Sequence, residues 1–399
     1  MFNPYTTFLT ARSKQNTRRT LSHQEAEPLL NFTTNDYLGL SQEPTILEAL
    51  AHTSLQGMGQ RGSRLVMPNQ NPYAKLEKKI AESLKQDQAL IFSSGFQANT
   101  SALSALLDRA VLKSEPLVFS DRLLHASFHI ACQNARVKEI RYPHSDLNAL
   151  ENLLKPYKDT SHPKFIITES LFGMDGDISD IQHLIRLKQE YHALLIIDEA
   201  HSIGCYGHHG YGITEPWANE IDMITGSFSK ALGCTGGFVA CSNQIYEYLV
   251  NHCAGLIYSN ALPFPIVAAI EAAWDLLPAL SQKRKALQAL SRIARTNLSK
   301  VGLNIGRTDS HLIPILIGDN NQVMQLKEKL AQQGIWVGAI RPPSVPQHGA
   351  RLRLCLTSRH TLQDVEHFIK VLLLDSEMKG SSRSSPLLLK SLLPPLVRL

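Results

Sequence analysis

Short apolar runs separated by helix-length gaps constrain this chain more than any other feature of it. Ala89 to Phe92, Phe165 to Thr168, Leu194 to Ile197 and Phe238 to Ala240 each read as a buried strand. The intervals between them are long enough for crossover helices, which predicts an α/β fold built on a mostly parallel central sheet. Before the first run, Leu76, Ile80 and Leu84 recur every four residues and predict a helix over Lys75 to Lys85. Beyond Pro265 a helical pattern leads to a strand at Leu312 to Ile317, a helix around Val323 to Leu330 and a strand around Arg351 to Leu356. Leu362, Val365, Phe368, Ile369 and Leu372 then follow at helical spacing.

These elements divide the chain into an expected N-terminal segment, 1–44, a large domain, 45–265, and a smaller α+β C-terminal domain, 266–375. From about Ser376 the composition changes to serine, proline and short leucine clusters, and 376–399 reads as a tail packed on the body. Contact with a membrane or a partner is the alternative for that tail.

Composition excludes more than it assigns. The chain's 399 residues can bury a large core in two lobes, and its formal charge of +5 is spread without a basic block that would mark a nucleic-acid surface. A mild basic excess suits an acidic substrate or carrier. The six cysteines show neither CxxC spacing nor disulfide density, which predicts reduced thiols and a cytoplasmic setting. The opening MFNPYTTFLTARSKQNTRR lacks a signal-type apolar run, and no membrane span is expected. His208 and His209 adjoin each other outside any HExxH or Cys/His pattern, so no metal is expected, and no GxSxG elbow occurs.

What remains is an ordered set of short motifs: Ser94-Gly95-Phe96, His125, IIDEAHSIG at 196–204 and TGSFSKALG at 225–233. Lys230 lies in a Gly- and Ser-rich loop, where its amine suits a Schiff-base link to an aldehyde cofactor that a substrate amine later displaces. A solvent-facing lysine is the alternative. Asp198 ends an apolar run, at the strand end where parallel sheets present ligands, and a carboxylate there would keep a pyridine nitrogen protonated. Glu199 should alternate away from it, and His201 lies just beyond, within reach of a phenolic oxygen or simply in a strand-end turn. Ser94, Gly95 and Phe96 precede QANTSALSALL, so their amides suit a phosphate at a helix start, to which Ser227 can add a hydroxyl.

Those motifs, together with NFTTNDYLGL, GQRGSRLV, SDRLLHAS, TESLFGMDGD, ARLRLCLT and the long segment ending IRPPSVP, resemble the α-oxoamine synthases of the aspartate-aminotransferase-like fold. The similarity runs from about Asn31 to Leu373. It implies that Lys230 carries pyridoxal 5'-phosphate, Asp198 pairs with its ring nitrogen, His201 meets the phenolic oxygen and His125 stacks on the ring. Ser94, Gly95, Phe96 and Ser227 would hold the phosphate, and Arg353 the amino-acid carboxylate, with Arg351 as fallback. Asn35 and Tyr37 would line the site, and Arg18 or Arg19 would approach the acyl substrate. The family forms homodimers, which would bring Ser259 and Asn260 to the partner's phosphate.

The implied chemistry is decarboxylative condensation of an amino acid with an acyl thioester. The IRPPSVP and ARLRLCLT segments point to the biotin-pathway branch, which joins L-alanine to a pimeloyl thioester on coenzyme A or acyl carrier protein. In that chemistry freed Lys230 takes the α-proton, and His125 is a candidate donor to the thioester oxygen. Pro68, Tyr73 and Gly173 depart from the family pattern and keep open a sister reaction with another small amino acid and acyl donor. A non-catalytic interaction protein that keeps the fold is the remaining alternative.

Overall fold

The structure, a computed structural model, describes residues 3–21, 30–55, 57, 62–66 and 71–377. Pro68 and the tail beyond Glu377 lie outside the described residues. The first strand, β1 (Leu30–Phe32), is followed by seven that form one sheet: β2 (Gln88–Phe92), β3 (Leu117–Asp121), β4 (Glu139–Tyr142), β5 (Lys164–Glu169), β6 (Ala193–Asp198), β7 (Met223–Ser227) and β8 (Gly237–Cys241). Their spatial order is β2-β8-β7-β6-β5-β3-β4. Only β8 runs antiparallel to its neighbours in this sheet, so the α/β expectation holds.

Loop length explains the exception. Nine residues, 228–236, separate β7 from β8, too few for the helical crossover that a parallel partner needs, so the chain turns straight back. That return loop carries Lys230. Because β8 is reversed, its first residue Gly237 pairs with both Ser227 and Phe92, the last residues of β7 and β2. The C-terminal ends of β2, β3, β5, β6 and β7 therefore share one edge, which is where open α/β sheets bind ligands.

Strands β5, β7 and β8 are buried along their whole length, and β2, β3 and β6 at all but one residue. Helices cover both faces: Asn71–Ser83 packs Leu76 and Ile80 on one side, and Gly95–Leu106 packs Ala98, Ala102 and Leu103 in the cluster on the other. Burial on two faces is why these strands read as continuous apolar runs instead of alternating ones.

Strands β9 (Leu312–Gly318), β10 (Ile335–Ile340) and β11 (Ala350–Cys355) form a second sheet, ordered β1-β10-β11-β9. The N-terminal strand β1 thus pairs in parallel with β10. This pairing makes the segment after β1 lead into the space between the sheets, and Ser358 ties it down by donating to the Tyr37 carbonyl at 2.8 Å.

One feature runs against expectation. The helical stretch 264–300 is long and apolar enough, by length and composition, to match a bilayer span. It is broken by a tight turn at Leu277–Leu280, and Val267, Ile270, Ala273 and Trp274 are buried in the protein core, which accounts for its apolar character.

A partly buried ion triad fastens the MDGD turn to the large sheet. His144 lies with Nδ1 2.9 Å from Asp121 Oδ1 and Nε2 2.9 Å from Asp177 Oδ2. Burial opposes its charge, but the two aspartates outweigh burial and raise its pKa to about 10. A histidine raised in this way contributes stability that is complete below its unfolded pKa of about 6.5 and is lost as pH rises through the folded value. His144→Gln should therefore cost about 3 kcal/mol near neutral pH, because it leaves two carboxylates facing each other. Urea unfolding should show this deficit shrinking as pH passes about 10.

Candidate active site

Six chain segments converge at the shared strand edge. Asp198 ends β6, Glu169 lies beside it in register at the end of β5, Lys230 arrives on the β7–β8 loop, and His125 precedes the helix Ala126–Asn134 after β3. Arg353 comes from β11 of the second sheet, and Asn35 and Tyr37 from the segment after β1.

Asp198 is 6% exposed. Its Oδ1 accepts from the Ala200 amide at 2.8 Å, and its Oδ2 from Asn99 Nδ2 at 2.8 Å. Burial lowers the Lys230 amine from the ordinary lysine value to about 8, against the opposing pull of Asp198 and Glu169. Burial also pushes the Glu169 carboxyl well above its usual range, with Asp198 acting in the same direction. A lowered amine and a buried aspartate at one strand edge are what an aldehyde cofactor with a basic ring nitrogen needs.

His201 is held by Tyr37, whose Oη lies 2.7 Å from Nδ1. Burial pulls this imidazole well below the usual histidine range, and Lys230 and Arg353 add to the effect. Tyr37 Oη also donates to Asn35 Oδ1 at 3.1 Å. Gly173, one of the departures from the family pattern, makes room for this arrangement: a Cβ there would stand 2.2 Å from His201 Nε2.

Ser94 caps the helix Gly95–Leu106, its Oγ accepting from the Gln97 amide. The Gly95 and Phe96 amides are the first two of that helix, and so have no acceptor within it. A Cβ on Gly95 would come 3.0 Å from Ser227 Cβ, so the structure brings these phosphate candidates together. Phe96 presents its ring edge to His125, with centroids 6.4 Å apart. Ser259 donates to the Gly255 carbonyl of its own chain, and Asn260 is exposed.

The two arginines of β11 have different partners. Arg351 is committed to Asp175 at 2.5 Å and to the Gly349 carbonyl at 2.9 Å. Arg353 donates from Nε to the Gly173 carbonyl at 2.6 Å and from Nη1 to Asn35 Oδ1 at 3.2 Å. Its Nη2 is buried with no partner, and among the described residues it forms no ion pair. A buried guanidinium with an idle donor is able to take an anion that the described residues do not supply.

Farther out, Arg19 donates to Ser344 Oγ at 2.7 Å and, with Arg341 and Thr17, lines a cavity of about 220 Å³. Arg18 is exposed outside that lining. Tyr73, another departure from the family pattern, has a packing role: its ring lies under the Arg64 guanidinium at 4.6 Å and its hydroxyl donates to the Leu262 carbonyl.

Sequence reasoning missed Asn99, Ser127 and Glu169. Glu169 stands inside the quoted TESLFGMDGD, Asn99 inside QANTSALSALL and Ser127 at the end of SDRLLHAS, so all three were visible as motif members without a role. Glu199 behaves as alternation predicts, turning away from Asp198 to accept from the Thr214 and Ile213 amides and from Ser170.

The family model for aminotransferase class I and II matches residues 27–372. The chain belongs to that family. A Magnetococcus marinus protein named putative 8-amino-7-oxononanoate synthase is 42% identical over 337 residues, covering 84% of this chain and 85% of that one. The solved 8-amino-7-oxononanoate synthase of Francisella tularensis superposes with a TM-score of 0.75 at 26% identity, over 88% of this chain and 99% of that one. Sphingomonas wittichii serine palmitoyltransferase reaches a TM-score of 0.86 at 24% identity, over 95% and 98% of the two chains, a likeness of fold. This family member is a pyridoxal-phosphate-dependent transferase.

Proposed function

We propose that the protein condenses L-alanine with a pimeloyl thioester, releasing carbon dioxide and the free thiol and forming 8-amino-7-oxononanoate for biotin synthesis. The observation that carries this is Arg353, a buried cation whose idle Nη2 calls for a carboxylate beside the Lys230 and Asp198 pair. The names of the relatives supply the product, 8-amino-7-oxononanoate.

Lys230, Asp198, His201 and His125 would hold the cofactor, with Ser94, Gly95, Phe96 and Ser227 around its phosphate. Bound there, pyridoxal phosphate supplies an electron sink for negative charge at the amino acid's Cα. Arg353 meets the amino-acid carboxylate through its idle Nη2 and so orients the Cα hydrogen. The Lys230 amine, lowered to about 8, removes that proton and later returns one. Tyr37 and Asn35 keep His201 and Arg353 in place.

Arg19 and Arg341 favour pimeloyl over a long alkyl chain. Two guanidiniums on a small cavity suit a short acyl group that ends in a carboxylate, and neither forms an ion pair among the described residues. Arg18 is the weaker neighbour, and Arg351 serves the MDGD turn through Asp175. In a homodimer, Ser259 and Asn260 would complete the phosphate site of the partner.

The test is turnover with product mass. Purified protein given L-alanine and pimeloyl-coenzyme A or pimeloyl-acyl carrier protein should yield the eight-amino ketone and exchange the alanine α-hydrogen with solvent. Product from L-serine and palmitoyl-coenzyme A, with none from the first pair, would overturn the assignment in favour of the sister reaction.

A further inference from the structure

His125 does not stand alone, because a buried chain of hydrogen bonds connects it to Asp198. The helices Gly95–Leu106 and Ala126–Asn134 pack side by side, and hydroxyls of the first, on Thr100 and Ser104, reach the Ser127 and Ala131 carbonyls of the second. This packing brings Asn99 against Ser127. Asn99 Nδ2 donates to Asp198 Oδ2 at 2.8 Å and to Ser127 Oγ at 3.1 Å, and Ser127 Oγ lies 2.8 Å from His125 Nδ1. Asn99 and Ser127 are 3% and 0% exposed, so water does not compete for these bonds.

The direction of each bond follows from chemistry. Asp198 has only acceptors when ionised, so the Asn99 amide must turn its NH₂ toward it, and the same NH₂ serves Ser127. Asn99 Oδ1 is left buried without a partner, a cost that this orientation alone explains. The Ser127 hydroxyl, already accepting from Asn99, is free to donate its own hydrogen to His125 Nδ1. The Ser127 backbone N–H, which can only donate, approaches the same nitrogen at 3.4 Å. Nδ1 is thus an acceptor twice over, and Nε2, which has no hydrogen bond among the described residues, carries the proton.

We propose that Asn99 and Ser127 are positioning residues that lock His125 as its Nε2–H tautomer, with the Asp198 carboxylate as the fixed end of the chain. The carboxylate that faces the cofactor nitrogen and the imidazole that donates toward the reacting groups then act as one preorganised unit. A histidine's working nitrogen is set by the bond that its other nitrogen makes. The kinetic part of this inference rests on the proposed condensation, whereas the tautomer itself does not.

Nitrogen-15 spectra of the holoenzyme with labelled histidine, assigned with His125→Gln, decide it. The expected result is a protonated Nε2 and an unprotonated Nδ1 in the wild type, and mixed tautomers in Ser127→Ala. Condensation by Ser127→Ala should fall about ten-fold in kcat with the amino-acid KM little changed, and Ser127→Thr should restore both tautomer and rate. A protonated Nδ1 in the wild type would overturn the proposal, as would Ser127→Ala with an intact Nε2–H signal and wild-type kcat. Absence of condensation with a correct tautomer in the wild type would instead count against the proposed substrates.

Discussion

Replacing Lys230 with alanine is expected to lower ketone formation by at least about 10³-fold while leaving the protein folded and able to bind cofactor without a covalent bond. The site explains both halves of this result. Asp198, His201 and the phosphate candidates around Gly95 come from other segments and do not depend on the lysine side chain. The amine has no substitute for the covalent link, since the groups that act on it, Asp198, Glu169, Arg353 and Cys355, include no second primary amine. Borohydride treatment followed by peptide mass analysis should label Lys230 in the wild type and nothing in the variant. The amine's lowered value adds a pH signature. Cofactor-free protein should capture pyridoxal phosphate faster as pH rises through about 8, well before an ordinary lysine would lose its proton. A capture rate that rises only near the ordinary lysine value would show that Lys230 is not desolvated as described.

Lys230 and Asp198 were legible because local sequence announces both: one follows LLII at a strand end, the other sits in a Gly- and Ser-rich return loop. The buried strands β2, β5, β6 and β8 were legible for the same reason, each being a short apolar run that needs no partner to be recognised. β7 was harder, because Met223–Ser227 includes Thr-Gly-Ser and looks like a loop until its burial between β6 and β8 is seen. β1, only three residues long, owes its state to pairing with β10 some three hundred residues later. Tertiary pairing decides such a segment, and its own composition cannot.

The same division runs through the site. Arg351 and Arg353 stand two apart on one strand, so alternation points both the same way and sequence alone cannot choose between them. Asp175 separates them by engaging Arg351, whereas Arg353 forms no ion pair among the described residues. Asn99 and Ser127 acquire their roles only from the packing of two helices, and nothing in their local sequence anticipates it. Residues whose job is to orient another residue are hidden for this physical reason: the partner is supplied by the fold.

Arg353→Leu should separate binding from stability more sharply than any other substitution. In the wild type a 7% exposed guanidinium has given up water, recovers hydrogen bonds from Nε to the Gly173 carbonyl and from Nη1 to Asn35 Oδ1 and Cys355 Sγ, and keeps Nη2 idle. Without a facing carboxylate that arrangement costs folding free energy, and an apolar side chain of similar reach removes the cost. Ligand-free Arg353→Leu should therefore melt at or above the wild-type temperature. Its KM for the amino acid should rise by about 10²-fold or more, the loss expected when a buried charge-assisted contact disappears. Arg353→Lys should fall between, since an ammonium keeps the charge but loses the planar donor set that also holds Gly173 and Asn35. The decisive comparison is a melting scan with saturating amino acid, which should stabilise the wild type through binding to the native state and leave Arg353→Leu unmoved. If Arg353→Leu were instead strongly destabilised in the absence of ligand, the guanidinium would be holding Gly173 and Asn35 together as structure, and the carboxylate would have to bind elsewhere.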